Sequence, residues 1–281
     1  MKLPCVRKCI LAVFLAVMCY RVKDLGDRLS YNQGPYRAVK EFPPSNCTFW
    51  SDSELETLSL EIIRQHQATS NSSKPPKAII LIGGSGAGKS SYAKQLLAQH
   101  HSETFILHGL DEYLKYSPEY PLLFLDALFV YLHAAEACYP SVIPLAKAVL
   151  SKIIHNQLNL VYEETGKNTV RLEKVINRFI QAGYSVEVVH VHSHPNTAVV
   201  RSKIRFLESG RFASEEYVRG SFPRADIDQW LKNKFPTILI RQCSNDCLGG
   251  AWNFMTPVAA ALEPGCLVCL EDDKFEKIPS A

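Results

Sequence analysis

Five short apolar runs alternate along the chain with longer stretches in which apolar residues recur every three or four positions. The runs lie at residues 77–83, 104–109, 159–164, 185–192 and 237–241. Their length and composition are typical of strands that are buried on both faces of a sheet. The stretches between them are typical of helices, and the one at 168–184 places Gly183 at a helix C-cap position. The pattern predicts an α/β fold of three layers, with helices on both faces of a parallel five-stranded sheet.

The first run leads directly into the sequence GGSGAGKSS at residues 83–91. This sequence matches G-x-x-x-x-G-K-[ST], a phosphate-binding loop in which glycines let backbone N–H groups approach phosphate oxygens. Because a helical stretch follows, we expect the phosphates at a helix N-terminus. The pattern assigns Lys89 to the β- and γ-phosphates and Ser90 to Mg²⁺. A glycine-rich turn without a ligand is disfavoured, because strand, helix and all four defined positions are present. The predicted nucleotide-binding residues of the loop are Gly83, Gly84, Ser85, Gly86, Ala87, Gly88, Lys89, Ser90 and Ser91.

The composition is that of an ordinary globular protein, with 281 residues, a hydrophobic content of 47% and a net charge of +3. So small a net charge, without a long basic run outside the N-terminus, argues against nucleic acid as a partner.

The N-terminus carries an apolar run at residues 9–20 that is flanked by basic residues. Twelve residues are fewer than the roughly 20 that span a bilayer comfortably. A basic segment before a short apolar run is also typical of a signal peptide, but Met18 and Tyr20 are not the small residues of a cleavage site. We therefore expect an uncleaved signal anchor that holds a lumenal domain at the membrane. A secreted protein and a cytoplasmic one, in which this run is a buried helix or a transit segment, remain alternatives.

Nine cysteines are many for a cytosolic enzyme of this size. Outside the N-terminal segment they are Cys47, Cys138, Cys243, Cys247, Cys266 and Cys269. The last four form C-x3-C-x18-C-x2-C, which is close to a zinc spacing, whereas disulfides are expected in a lumenal protein. Disulfides, zinc ligation and unpaired thiols therefore all remain open. Two glycosylation sequons, at Asn46 and Asn71, favour a lumenal location weakly.

Polar residues with useful chemistry follow the second and third predicted strands. Asp111 comes just after the second, and Glu163, Thr165 and Lys167 follow the third. The carboxyl ends of parallel strands meet at one edge of the sheet, so these residues are expected near the phosphate loop. The structural alternatives are an N-cap role for Asp111 and a buried ion pair for Glu163.

The motifs GGSGAGKSS, LDEYLKYSPEY (110–120) and VYEETGK (161–167), followed by a basic segment, resemble the zeta-toxin and UDP-N-acetylglucosamine kinase family of P-loop kinases. The resemblance covers residues 77–241. It implies that Asp111 takes the proton from an acceptor hydroxyl and that Arg211, with Arg205, neutralises charge on the nucleotide. It further implies catalytic roles for Lys89 as well as Asp111 and Arg211, and substrate-binding roles for Glu163, Thr165 and Lys167.

The resemblance implies an enzyme that uses ATP and Mg²⁺ to phosphorylate a hydroxyl of a small molecule, a sugar or nucleotide sugar such as UDP-N-acetylglucosamine. Glu164 and Lys167 replace a glycine and an arginine of the family motif, and Lys147 lies near the place of a substrate-contacting glutamate. These departures leave the acceptor open. A P-loop kinase for another small acceptor and a nucleotide-binding switch without transfer are the alternatives.

The predicted organisation has four parts: a signal anchor or signal peptide at 1–23, a stem with one short helix at 24–76, the kinase domain at 77–241 and a cysteine-containing extension at 242–281.

A basic cluster and a histidine cluster indicate a function less strongly. The basic residues Arg201, Lys203, Arg205, Arg211 and Arg219 could form a solvated helix face. In a strand, His190, His192 and His194 would share one face, a geometry that can bind a metal ion, but no acidic residue lies at a matching spacing.

Overall fold

The computed structural model describes the chain from residue 47 onward, with gaps. The described residues are 47–67, 75–99, 104–120, 134–209, 211, 213–245, 268–271 and 274–277. All of them belong to one unit, Ser45–Ala281. The anchor predicted at 1–23 lies outside the described residues, as do the asparagines of both sequons, Asn46 and Asn71, and most of the predicted stem.

The described residues form seven strands and seven α-helices. The strands are β1 (Lys77–Ile82), β2 (Ile106–His108), β3 (Leu160–Glu163), β4 (Ser185–His192), β5 (Leu239–Ser244), β6 (Val268–Glu271) and β7 (Lys274–Lys277). The helices are α1 (Asp52–Gln67), α2 (Lys89–Gln99), α3 (Ala134–His155), α4 (Thr169–Gln181), α5 (Pro195–Ser209), α6 (Glu215–Gly220) and α7 (Ile227–Lys234), and a 3-10 helix spans Leu110–Tyr116.

The strands of the described part lie in the order β2-β3-β1-β4-β5-β6-β7. The first five are parallel, which confirms the predicted parallel five-stranded sheet. The predicted bounds of β4 match the structure, whereas β5 begins two residues later than predicted and continues to Ser244. Two further strands extend the sheet and were not predicted: β6 pairs antiparallel with β5, and β7 pairs antiparallel with β6. Because β1 lies between β3 and β4, the loop that follows β1 leaves the middle of the parallel sheet.

Helices cover both faces of the sheet. On one face, Ile80 and Ile82 of β1 pack in the same cluster as buried residues of α3, α4 and α7. On the other face, Ile79 and Leu81 pack with Tyr92 and other residues of α2. Alternate residues of a strand point to opposite faces, so the apolar run of β1 contributes to both layers. This arrangement confirms the three-layer fold.

The helix that the sequence placed in the stem is α1, and it packs against α3. Ile62 and Ile63 are buried in the core cluster that also contains α3. Lys152 of α3 donates a hydrogen bond of 2.6 Å to Glu56 of α1. This helix therefore contributes apolar surface to the kinase core.

A segment of α3, Ala137–His155, is long and apolar enough to cross a membrane by length and composition, and it is the one such helix in the described residues. Its residues Val142, Leu145, Val149 and Ile153 are fully buried against the sheet. In this fold α3 is therefore a core helix.

Three cysteines of the described part are disulfide-bonded. Cys47, just before α1, is bonded to Cys138 of α3 across 91 residues of sequence. Cys243 of β5 is also disulfide-bonded. It is therefore not available as the first ligand of the four-cysteine zinc pattern, and the structure favours the disulfide alternative. Cys247 and Cys266 lie outside the described residues.

Candidate active site

The phosphate loop connects β1 to α2, as predicted, and its glycines are required by close contacts. Gly86 has a φ of +78°, and a Cβ atom there would lie 2.3 Å from the carbonyl oxygen of Ala198. Gly88 has a φ of +101°, and a Cβ atom would lie 1.8 Å from the side-chain nitrogen of Asn245. Side chains at these positions would both strain the backbone and displace the neighbouring chain. The loop conformation is therefore specified by glycine.

Surrounding elements hold the loop in place. The Gly83 N–H donates to the carbonyl of Thr165 at 3.2 Å, which joins the start of the loop to the end of β3. At the loop's tip, the Ser85 N–H donates to the hydroxyl of Ser221 at 2.8 Å. Asn245 donates from its side chain to the Ala87 carbonyl at 3.0 Å. These bonds fix the start, the tip and the end of the loop.

Lys89 is folded back along the loop. Its Nζ donates hydrogen bonds to the carbonyl oxygens of Gly83 at 2.7 Å and Gly84 at 3.0 Å. Burial lowers the pKa of Lys89 to about 8, while the nearby carboxylate of Glu163 acts in the opposite direction. The ammonium group therefore lies where the loop curves, close to the Glu163 carboxylate, and its role at the β- and γ-phosphates stays a prediction.

A hydroxyl and a carboxylate meet at the start of α2. Ser90 Oγ donates to Oε2 of Glu163 at 3.4 Å, and Oε1 of Glu163 is buried without a hydrogen-bond partner among the described residues. Burial raises the pKa of Glu163, although Lys89 partly opposes this shift. Oxygen donors of this kind are the ligands that Mg²⁺ prefers, so Ser90 and Glu163 fit the predicted cation. The structure thus places Glu163, which the resemblance assigned to substrate binding, beside the phosphate loop.

Asp111 lies at the carboxyl end of β2, in the first turn of the 3-10 helix. Tyr139 of α3 donates a hydrogen bond of 2.6 Å to Oδ1, and Arg211 forms an ion pair with Oδ2. The structural alternative for Asp111 was a role as the N-cap residue of a helix. The N-cap residue of this 3-10 helix is Gly109, so Asp111 does not have that role. About a quarter of the Asp111 side chain is exposed. The carboxylate is therefore held by a phenol and a guanidinium and is still accessible to a substrate.

The basic residues fall into two groups. Arg205 of α5 donates from Nη2 to Ser85 Oγ at 3.3 Å, so it lies at the tip of the phosphate loop. Burial lowers the pKa of Arg211 to about 10, and its Nε is buried without a hydrogen-bond partner among the described residues. Both side chains remain cations at neutral pH. In contrast, Lys203 and Arg219 form exposed ion pairs with Glu215, which fits the solvated-face alternative for those two.

The other two predicted substrate residues, Thr165 and Lys167, differ in exposure. Thr165 is partly buried, and its hydroxyl accepts from the N–H of exposed Lys167 at 3.4 Å. Glu164, at the position of a family glycine, forms a 2.9 Å ion pair with Arg171. Lys147 is exposed on α3. The Thr165 carbonyl accepts the Gly83 N–H, so the structure brings Thr165 to the edge of the sheet that carries the site.

Three contributors to the site were missed by sequence reasoning: Tyr139, Ser221 and Asn245. Each reaches its partner from a distant part of the chain, on α3, after α6 and after β5 respectively. None of them belongs to a local motif. Arg201, which the sequence places in the basic cluster, donates from Nη2 to the Asn245 carbonyl at 2.7 Å and so supports the residue that holds the loop.

A phosphate loop at the end of β1, with the Ser90 hydroxyl and the Glu163 carboxylate beside it and the Asp111 carboxylate nearby, defines a P-loop phosphotransferase. The Zeta toxin family model matches residues 61–231, more than half of the chain, and the chain therefore belongs to the zeta-toxin family. It is a P-loop kinase that uses ATP. The match begins within α1 and ends within α7, so it includes the helix that the sequence placed in the stem.

Solved structures share the fold of this chain. The chain is similar to one from the PezAT chromosomal toxin–antitoxin system of Streptococcus pneumoniae, with 19% identity and a TM-score of 0.58. That match covers 79% of this chain and 89% of the other. The native AvrRxo1-ORF1:-ORF2 complex contains a second similar chain, with 13% identity and a TM-score of 0.51, covering 88% of this chain and 75% of that one. At these identities the likeness concerns the fold alone. Comparison with curated protein sequences gives no significant match.

Proposed function

We propose that the protein transfers the γ-phosphoryl group of ATP to a hydroxyl of a small molecule, and that the acceptor is a sugar or a nucleotide sugar such as UDP-N-acetylglucosamine. The observation that carries the proposal is the placement of the two arginines. Arg205 contacts Ser85 at the tip of the phosphate loop, and Arg211 contacts the Asp111 carboxylate. Both arginines lie in the segment that follows β4. This one segment therefore contacts both the donor site and the proposed acceptor site.

The chemistry follows from these positions. Phosphoryl transfer depends mainly on positioning and on neutralising charge, so Lys89, Arg205 and Arg211 would stabilise the negative charge on the transferred group. Asp111 would accept the proton of the acceptor hydroxyl as the new O–P bond forms and the bond to ADP breaks. Tyr139 would orient the Asp111 carboxylate through its hydrogen bond, so we assign it a positioning role.

Ser90 and Glu163 are the residues that would hold Mg²⁺. When bound, the ion would neutralise phosphate charge and orient the β- and γ-oxygens. The buried Glu163 oxygen without a described partner is the observation that supports this assignment.

The departures within the third motif bear on the acceptor. Lys167 lacks the planar fork with which arginine grips a carboxylate or phosphate, and Glu164 is engaged by Arg171. Thr165, the hydroxyl residue of the family motif, is present beside the phosphate loop. Its presence supports a sugar hydroxyl as the acceptor over a nucleoside or gluconate.

The proposal is tested by incubating the full chain with γ-labelled ATP, Mg²⁺ and a panel of acceptors. The panel contains nucleotide sugars, the corresponding free sugars, a nucleoside and gluconate. Label in one of the sugars, with ADP released in proportion, is the expected result, and both signals should vanish in Lys89→Ala and after chelation of Mg²⁺. Label in the nucleoside or gluconate would move the assignment to another small-molecule kinase. ADP release that no acceptor stimulates would favour the switch.

We also propose that the domain lies in the lumen of the secretory pathway, held by the N-terminal segment. The disulfide between Cys47 and Cys138 and the oxidised Cys243 support an oxidising compartment. Glycosidase treatment of the protein from its native membranes should increase its gel mobility through loss of glycans at Asn46 or Asn71. An unshifted protein in the soluble cytosolic fraction would contradict this location.

A further inference from the structure

A cluster of three metal-binding side chains lies on the face of the sheet opposite the phosphate-loop helix α2. His190 and His192 are alternate residues at the end of β4, and Asp228 lies in the first turn of α7. The acidic partner that the local sequence did not offer therefore comes from a helix that packs on the strand. One ligand atom from each of the three residues lies within 4.8 Å of the other two.

The two histidines lie at different distances from the Asp228 carboxylate. Nδ1 of His190 lies 2.8 Å from one carboxylate oxygen of Asp228 and 3.1 Å from the other. Nε2 of His192 is directed at the same carboxylate, at 3.6 Å from Oδ2, beyond a normal hydrogen bond. This nitrogen is buried and has no hydrogen-bond partner among the described residues. A buried polar atom without a partner is rare, and an unseen ion is one of its recognised explanations.

The rings are arranged for shared ligation. The His190 and His192 ring centroids are 3.7 Å apart, and each imidazole has one nitrogen near the Asp228 carboxylate. Zinc binds nitrogen and oxygen ligands at about 2.0–2.2 Å, so ligand atoms around a tetrahedral ion lie roughly 3.3 Å apart. The separations of 2.8 Å and 3.6 Å to Asp228 bracket that value. With all three ligand atoms within 4.8 Å of one another, the three side chains can converge on one ion.

We propose that His190, His192 and Asp228 form a binding site for a transition-metal ion, with Zn²⁺ the ion that two imidazoles and one carboxylate favour. The site is separate from the Mg²⁺ position at Ser90 and Glu163. His190 and His192 continue the row of β4 that contains Val188, which faces α7, whereas α2 packs against Val189 and Val191. A bound ion would join the end of β4, beside the phosphate loop, to α7.

The test uses the full chain, purified without a polyhistidine tag and stripped with chelator, then titrated with Co²⁺ in the absence of nucleotide and Mg²⁺. We expect one equivalent of Co²⁺, with the intense visible absorption of a low-symmetry site, no thiolate-to-cobalt charge-transfer band, and displacement by Zn²⁺. His192→Ala should lower the affinity by about 100-fold or more, since even outer-shell changes cost 10–100-fold.

Two further variants control the result. His194→Ala removes a nearby exposed histidine outside the cluster and should bind Co²⁺ as the parent does. Asp228→Asn keeps the size of the side chain and an acceptor for His190, so circular dichroism should show the parent fold while Co²⁺ affinity falls. Absence of stoichiometric binding in the parent, or equal affinity in His192→Ala and the parent, would overturn the proposal and leave a hydrogen-bonded His190–Asp228 pair. A fall in His194→Ala as large as in His192→Ala would also overturn it.

Discussion

Arg211 and Asp111 form an ion pair at the carboxyl end of β2. The pair joins a buried guanidinium to the carboxylate that is proposed to accept the hydroxyl proton. Charge neutralisation and proton transfer are thus assigned to two side chains in direct contact. A change in either residue should therefore affect transfer more than it affects ATP binding.

The first prediction concerns Arg211. Arg211→Gln keeps a hydrogen-bond donor near Asp111 but removes the charge, and we expect kcat to fall by about 10²–10³-fold, as for loss of one transition-state donor. Arg219→Gln is the matched control, because Arg219 also pairs with a carboxylate, Glu215, but on the exposed surface. It should keep the parent kcat. Equal kcat values for both variants would remove Arg211 from the catalytic assignment.

The second prediction concerns Lys89, whose pKa is lowered to about 8. At pH 8 about half of the molecules carry the neutral amine, and bound phosphates should draw the group to its charged form. Isothermal titration with ATP at pH 8, in buffers of different ionisation enthalpy, should therefore detect uptake of about half a proton. Lys89→Arg, which cannot lose its charge, should take up none. Uptake by both proteins alike would show that another group supplies it.

The third prediction concerns pH-dependent stability. Burial lowers the pKa of His108 from 6.5 to about 4, and its imidazole is hydrogen-bonded to the Tyr113 hydroxyl at 2.7 Å. The unfolded chain binds the proton more readily, so this contribution is present above pH 6.5 and is lost as the pH falls towards 4. We expect the free energy of unfolding to decrease by about 2 kcal/mol between pH 6.5 and 5 from this group. Urea unfolding of His108→Gln should lack this component, and an identical pH dependence in both proteins would contradict it.

The fourth prediction concerns the disulfide between Cys47 and Cys138, which ties the segment before α1 to α3. Replacing both residues by serine should lower the free energy of unfolding by about 2–5 kcal/mol, as for other native disulfides that close long loops. Thermal unfolding under non-reducing conditions measures the loss, and peptide mapping of the parent should recover the two cysteines linked. An unchanged melting temperature in the double variant would mean that the bond does not stabilise this fold.

The sequence predicts those parts of the fold that depend on local patterns. β1 and β4 follow from runs of apolar residues, and the phosphate loop from a spacing that needs glycine at 86 and 88. Asp111 could be singled out because it follows a strand whose end lies at the same edge of the sheet. Such features are encoded within a few neighbouring residues.

Contacts between distant segments could not be predicted in this way. Tyr139 reaches Asp111 only because α3 packs beside the 3-10 helix, and Asp228 reaches His190 only because α7 packs on β4. β6 and β7 are short strands whose positions depend on the pairing of β6 with β5 and of β7 with β6. Their sequence patterns do not specify the partner, which tertiary packing supplies.

The most direct test of the central claim, that Asp111 serves as the base in a phosphoryl transfer, is the rate of transfer by Asp111→Asn to an accepted substrate. Asparagine keeps the size of the side chain and can still accept the hydrogen bond from Tyr139, but it cannot take up the hydroxyl proton. We expect ATP affinity close to that of the parent and a transfer rate lower by about two orders of magnitude or more. A variant that transfers phosphate at the parent rate would contradict the account and favour a nucleotide-binding role for the site.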